Sequence, residues 1–378
     1  MASTLRRLSR LAAWTLYTLC IAEICVRVMQ PQPLIPRYIT GTPWGVRGNI
    51  PHAHYWHVTP EVRVEYRING QGMRDDREFP VSKPAGSCRI ALFGDSFFVG
   101  YELDLRDTIA AVLEGSLRAA GYRAEVLNFS VSGFGTAEML RAYERNARRF
   151  SPDVVVFQWH YTDLDDNVRA DLFRLEHGKV TPTGKNYLPS VAIQDALMRW
   201  SIYRFIADNS QLYAFVREGV AIRVKAMLAA AGGRRGAEGL AASASAGSKV
   251  APPVADRDAY ERALAARLLQ YARQLTMTDG RHFLVVDIPE ALSRTEFRSS
   301  WPMLDRALVD GIEVVHADQI FAPMASPSLK LYYEKGHNHL TPPAARALAT
   351  TIAQRLMTRG DLDGCATGSR IGHALAVQ

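Results

Sequence analysis

No stripe in which Lys or Arg alternates with aromatic side chains runs through this 378-residue sequence, so a nucleic-acid-binding surface has no support. The charge excess is small, +7 from 45 basic and 38 acidic residues, and three of the positives (Arg6, Arg7, Arg10) cluster at the amino end. Internal repeats are absent. Metal ligands are short as well: His337 and His339 have His-x-His spacing, but no third His or Cys stands at a convincing distance, so neither a metal nor another cofactor is expected. Cysteine is scarce, with four residues. Cys20 and Cys25 lie in an apolar amino-terminal stretch, Cys88 precedes the first core strand, and Cys365 follows the last helix. In a parallel α/β layer strands begin and helices end at one edge, so Cys88 and Cys365 can meet. An exported compartment permits their disulfide; two isolated thiols is the other reading.

What is present is the composition of a globular chain, 48% hydrophobic and 9% aromatic, long enough for one large domain with appendages. Its first segment is basic, MASTLRRLSR, and is followed by the apolar LAAWTLYTLCIAEICVRVM. Glu23 and Arg27 interrupt the apolar run before it reaches the roughly 20 residues a span needs, and no small-x-small cleavage site follows. The reading is an uncleaved signal anchor over residues 1–29, with Glu23 and Arg27 near the outer interface. Basic residues on the short leading side keep that side in the cytoplasm. The expectation is a single-pass inner-membrane protein whose remainder is periplasmic or extracytoplasmic.

Residues 30–88, rich in Pro, Gly, Tyr and His, read as an extended β-type lead-in, with alternation over 62–66. From Arg89 the pattern changes. RIALFG ends an apolar run in Gly and reads as a strand buried on both faces. Helical periodicity at Ile109, Val112, Leu113 and Leu117 follows, then the strand AEVLNFSV, a helix capped by Thr136, and the strand DVVVFQWH. Such β-α-β-α-β alternation predicts a parallel sheet with right-handed crossovers. Residues 164–228 look helical and irregular, with Trp200, Tyr203 and Phe205 read as core. The low-complexity stretch 229–255 reads as a disordered insertion. Helix returns at 256–275, HFLVVDIP and IEVVHAD supply strands four and five, and Thr341-Pro342 opens a final helix with Thr as its cap. Residues 89–359 therefore form one three-layer α/β/α domain on a five-stranded parallel sheet, followed by a tail over 360–378.

Ligands in such sheets bind at the carboxyl ends of the strands. Gly94-Asp95-Ser96 follows strand one, where a Gly permits a sharp turn and a Ser is placed to attack an acyl carbonyl. Gly133, behind strand two, offers an unobstructed amide. His160, Thr162, Asp163, Asp165, Asp166 and Asn167 follow strand three, and Glu334, His337 and His339 precede the last helix. Each also has a plainer reading: Ser96 and Asp165 as caps, His160 as a packed strand-end histidine, His337 and His339 as surface residues.

This layout resembles the SGNH/GDSL hydrolase superfamily, in its bacterial membrane-anchored branch. The blocks INGQGMRDD, RIALFGDSFFVGYEL, EVLNFSVSGFGT and PDVVVFQWHYTDLDDN carry the resemblance together with HLTPPA, over roughly residues 65–170 and 310–358. It implies a flavodoxin-like SGNH fold, Ser96 as nucleophile, the amides of Ser96 and Gly133 as oxyanion donors, and His339 as general base. Two positions depart from the family. Thr162 stands where an Asn usually supplies the third oxyanion donor and Asp163 where its Asp belongs, leaving His160 and Asn167 as substitutes and Asp95 as further support. The usual Asp two or three residues before the His is missing; Glu334, three before His337, makes Glu334–His337 an alternative pair, and a dyad is a third option.

The resemblance and the anchor together imply an esterase acting on ester groups, first of all O-acetyl groups of an envelope or secreted glycan. An O-acyltransferase working with a membrane acyltransferase partner is the alternative reaction. A catalytically inactive glycan-binding or assembly subunit is the alternative of another class.

Overall fold

In a computed structural model of the chain, residues 2–366 are described apart from 33, 35, 187–190, 218, 220–253 and 336–337. Five strands form the central sheet: β1 (Cys88–Phe93), β2 (Ala124–Asn128), β3 (Val154–Trp159), β4 (His282–Asp287) and β5 (Val314–His316). All neighbours pair in parallel, in the spatial order β2-β1-β3-β4-β5. The order reverses between β1 and β3, so this is a doubly wound sheet whose switch point lies at the ends of those two strands. All six positions of β1 and of β3 are buried, as expected of strands covered on both faces.

Nine helices are used below: α1 (Ala2–Met29), α2 (Ser96–Val99), α3 (Ile109–Ala119), α4 (Thr136–Arg145), α5 (Asp163–Ala170), α6 (Val191–Met198), α7 (Ser201–Asn209), α8 (Val254–Thr278) and α9 (Pro342–Thr358). One face of the sheet is covered by α3 and α9, through Leu113, Leu117, Leu348, Ile352 and Leu356. The other is covered by α4 and α8, through Met139, Leu140, Leu264 and Leu268. Each of these fully buried aliphatic side chains contributes about 1.5–3 kcal/mol. Arg89, the one charged residue inside β1, is also fully buried; its guanidinium reaches Glu125 at 2.7 Å and the carbonyls of Val81 and Phe150 at 2.9 Å. A buried charge with every donor engaged avoids the large desolvation cost of a lone one.

Cys88 and Cys365 form a disulfide with Cα atoms 5.6 Å apart, choosing between the two readings open in the sequence. The described start of the tail is tied down: Arg123 donates to the Cys365 carbonyl at 3.2 Å, and Tyr122 bridges to Ala366. The lead-in contains two short antiparallel pairs, Ile39–Gly41 with Arg47–Asn49 and His54–Val58 with Arg63–Arg67. Val64 and Tyr66 point inward from the second pair, matching the alternation in the sequence.

Several local expectations are corrected. The stretch 164–228 is not all helix or irregular chain, because Phe173–Glu176 and Lys179–Pro182 make a hairpin. Its two-residue turn is His177-Gly178, both at positive φ, the backbone that a tight right-twisted hairpin requires. Thr136 is the first residue inside α4 rather than its cap; Gly135 takes the cap position and the Glu138 side chain accepts from the Gly135 amide at 3.2 Å. Thr341 does stand at the cap of α9, but its hydroxyl donates to the Lys330 carbonyl at 2.7 Å instead of accepting from the helix. Trp200 and Phe205 are not core residues: they are 73% and 69% exposed. Most of the 229–255 insertion lies outside the described residues, which resume at Val254 as the start of α8.

Candidate active site

The turn from β1 into α2 places Ser96. Gly94 packs so closely on β3 that a Cβ there would lie 2.5 Å from Oε1 of Gln158 and 2.7 Å from Cβ of Phe98. Only glycine fits such an approach. Asp95 then caps α2, its carboxylate accepting from the Phe97 amide at 2.8 Å, which explains Asp95 as a structural support of the turn. Ser96 is the first residue of α2, and α2 ends after one turn at Gly100, whose φ is +74°. That left-handed residue turns the chain back, so that Glu102 returns beneath the serine.

His339 arrives from the far end of the chain. Its loop is closed by the Tyr333 amide donating to the His339 carbonyl at 2.9 Å and the Thr341 amide donating to Leu331 at 3.0 Å. Nε2 of His339 lies 2.7 Å from Oγ of Ser96, and Nδ1 lies 3.2 Å from Oε2 of Glu102. Both His339 and Glu102 are buried, Glu102 almost completely. An ionised Glu102 can only accept, so it fixes the proton on Nδ1 and leaves Nε2 to accept from the serine hydroxyl. The rings of Phe97 and Tyr101, 5.2 and 4.8 Å from the imidazole centroid, wall it in.

Glu334 is not part of this arrangement. It sits on the surface beside Arg294, with Nη2 at 2.8 Å, and beside Lys330 at 3.6 Å. His337 lies outside the described residues. The carboxylate on the histidine is therefore Glu102, which the sequence reading missed. The family spacing directs attention to residues before the histidine, whereas this acid follows the serine by six positions. The usable signal was local: a one-turn helix broken by Gly, with an acid two residues later.

Gly133 occupies the loop behind β2 with φ +77°, where a side chain would lie 2.7 Å from Nη1 of Arg47. Arg47 in turn binds Glu138 at 2.8 Å and the Gly133 carbonyl. The loop is held against the end of β1 by the Val131 amide, which donates to Gly94 at 3.1 Å. Among the described residues, the amides of Ser96 and Gly133 donate no hydrogen bond within the chain. Two unused N–H groups at the strand ends suit an oxyanion.

The residues behind β3 divide. Oγ1 of Thr162 is 2.9 Å from Nδ1 of His160. His160 is buried against Phe97, and that burial lowers its pKa, keeping the imidazole neutral. When Thr162 donates to Nδ1, the His160 proton sits on Nε2. Asn167 and Asp163 are fully buried supports of α4: Asn167 accepts from the Ala137 amide at 2.8 Å, and Asp163 accepts from the Thr136 hydroxyl at 3.1 Å. Burial drives the Asp163 carboxyl well above its ordinary range. Asp166 is pushed up to about 6, chiefly by burial. Asp165 is exposed and pairs with Arg169 and Arg257.

No protein-family model and no curated protein matches the chain. Solved structures do resemble it. A lipase/acylhydrolase from Enterococcus faecalis is 12% identical, with 72% of this chain and 96% of that one covered and a TM-score of 0.34. A GDSL-like lipase from Bacteroides thetaiotaomicron is 12% identical, with coverage of 72% and 88% and a TM-score of 0.33. An acetyl-xylooligosaccharide esterase from Geobacillus is 11% identical, with coverage of 72% and 95% and a TM-score of 0.36. What this chain can do chemically follows from its own Ser–His–Glu geometry, which is that of a nucleophile, a base and an orienting acid.

Proposed function

We propose that the chain is a serine esterase that cleaves ester bonds through an acyl-enzyme, with O-acetyl groups of an envelope or secreted glycan as its substrate class. The single observation that carries this reading is the 2.7 Å contact between Ser96 Oγ and His339 Nε2, with Glu102 on the opposite ring nitrogen. His339 takes the Ser96 proton as Oγ bonds to the carbonyl carbon. The oxyanion rests on the amides of Ser96 and Gly133, and the His160–Thr162 pair supplies the third donor. Collapse of this intermediate breaks the bond to the sugar oxygen, which receives the proton from His339. Water, deprotonated by the same histidine, then releases the acid and restores the serine. Glu102 holds the Nδ1 proton of His339 and stabilises the imidazolium.

The glycan preference rests on two features. A cleft beside the histidine loop, lined by Phe297, Tyr333, Arg294, Lys330 and Asn338, mixes aromatic and charged groups in the manner of a carbohydrate surface. The helix Arg6–Met29, long and apolar enough to cross a membrane, would hold the domain at the extracytoplasmic face, beside envelope polymers. The Cys88–Cys365 bond suits that oxidising side.

The test uses the full chain in detergent with a fluorophosphonate probe and p-nitrophenyl acetate. Labelling and turnover that vanish together in Ser96→Ala support the esterase. Absence of both in the unaltered protein would leave the non-catalytic binding reading in its place.

A further inference from the structure

From Leu197 to Ile206 the chain turns most of its large apolar side chains outward. Trp200, Ile202 and Phe205 are 73%, 77% and 69% exposed, and Leu197, Ile206 and Val216 extend the same surface. On α7 the positions 202, 205 and 206 share one helical face, while Tyr203, Ala207 and Asp208 are the partly covered ones. A soluble helix is built the other way round. Arg199, Arg204 and Arg217, in the same stretch of chain, are exposed as well.

This surface is fastened to α1. The carboxylate of Glu23 accepts from the Ser210 hydroxyl at 2.7 Å and from the amides of Gln211 and Leu212 at 2.9 Å, capping the helical segment 211–217. Arg27, bound to Glu23 at 2.7 Å, also donates to the Asn209 carbonyl at 2.6 Å. A second pin joins Arg37, just past the anchor, to Asp195 of α6 at 2.6 Å. Glu23 lies six residues before the end of α1, about 9 Å along the axis. The helices bound there are therefore level with the last turns of the anchor rather than above it. The carboxylate inside an apolar helix is thereby fully engaged, as an acid near hydrocarbon must be.

We propose that α6, α7 and the segment 211–217 form an interfacial collar around the anchor, lying in the outer headgroup region with Trp200, Ile202 and Phe205 in lipid. The collar rests on the reading of α1 as a membrane anchor, since Glu23 and Arg27 of α1 hold it level with that helix's last turns. An aromatic at the interface, aliphatics below it and arginines beside phosphate headgroups are the features of a monotopic helix.

The test places single spin labels on the full chain in liposomes, in a Cys20→Ser/Cys25→Ser background. Ile202→Cys and Phe205→Cys are compared with Tyr17→Cys in the anchor and Arg106→Cys on the domain surface. Collision rates with lipid-soluble oxygen and a water-soluble nickel chelate are measured at each. The expected oxygen-to-nickel ratio at 202 and 205 is several-fold above that at 106 and approaches that at 17. A high ratio at 17 with a water-like ratio at 202 and 205 overturns the collar and leaves the anchor standing. A water-like ratio at 17 overturns the anchor itself. Protection of 202 and 205 from both reagents means a protein covers them, which also overturns the lipid assignment.

Discussion

Oε2 of Glu102 stands 3.2 Å from Nδ1 of His339, although 237 residues separate them in the chain. Nucleophile and acid come from one short segment, 96–102, so the serine's own turn carries the group that orients its base. Removing that acid should leave the imidazole free to take the wrong tautomer. For Glu102→Gln the expected loss in kcat on p-nitrophenyl acetate is on the order of 10²–10⁴-fold with little change in KM. Glu334→Gln should stay within about twofold of the parent. Equal losses in the two variants would remove Glu102 from the triad.

Gly133 gives a second outcome. Its φ of +77° strains any residue with a side chain, and a methyl group there would press on the Arg47 guanidinium. Gly133→Ala should cost about 1–3 kcal/mol of stability and displace the amide from the oxyanion. Urea unfolding and steady-state kinetics on the same preparation check both effects, with a fall in kcat of roughly 10-fold or more.

In the proposed mechanism the His160–Thr162 pair supplies the third oxyanion donor. His160→Phe keeps the packing against Phe97 but removes the donor, and should lower kcat by roughly 10²-fold. Thr162→Val should lower it too, by releasing the His160 tautomer. Unchanged kcat in His160→Phe would mean that two amides suffice.

Asp163 gives a pH dependence whose sign is fixed by its raised carboxyl. The folded chain holds this proton while the unfolded chain releases it near pH 4. The folded state therefore binds more protons above that pH, and stability declines as pH rises through the window up to the folded value. Asp163→Asn keeps the acceptor for Thr136 and has nothing to titrate. Its melting temperature, compared with the parent's at pH 4 and pH 8, should gain more at pH 8. A difference independent of pH would contradict the protonated assignment.

The disulfide closes a sequence separation of 277 residues. Chain-entropy arguments put the stabilisation from so long a loop at about 5 kcal/mol as an upper figure. Cys88→Ser/Cys365→Ser should unfold at markedly lower urea, whereas Cys20→Ser/Cys25→Ser should not shift the midpoint. Reductant should lower the midpoint of the parent and of Cys20→Ser/Cys25→Ser alike, and leave that of Cys88→Ser/Cys365→Ser unchanged.

The strands were legible because β1 and β3 are mostly apolar runs ending at Gly94 and His160. The serine and the histidine could be read from their positions at strand and helix ends. Glu102 could not, since its role depends on Gly100 reversing the chain after a single turn, a tertiary event with no periodic trace. Trp200 and Phe205 were misread for the opposite reason: aromatic helical spacing signals burial only when the burying medium is protein. The hairpin at 173–182 had its cue in His177-Gly178, overshadowed by the helical stretches on either side.

β1 and α9 run in opposite directions, and each carries a linked residue at both ends. Cys88 opens β1 and Ser96 follows it; His339 precedes α9 and Cys365 lies beyond it. The two elements are thus laced like the sides of a ladder with two rungs, one permanent and one that must open and close with every proton transferred. The sulfur rung confines the sliding of helix against strand, so the moving rung can break during turnover and re-form in the same register.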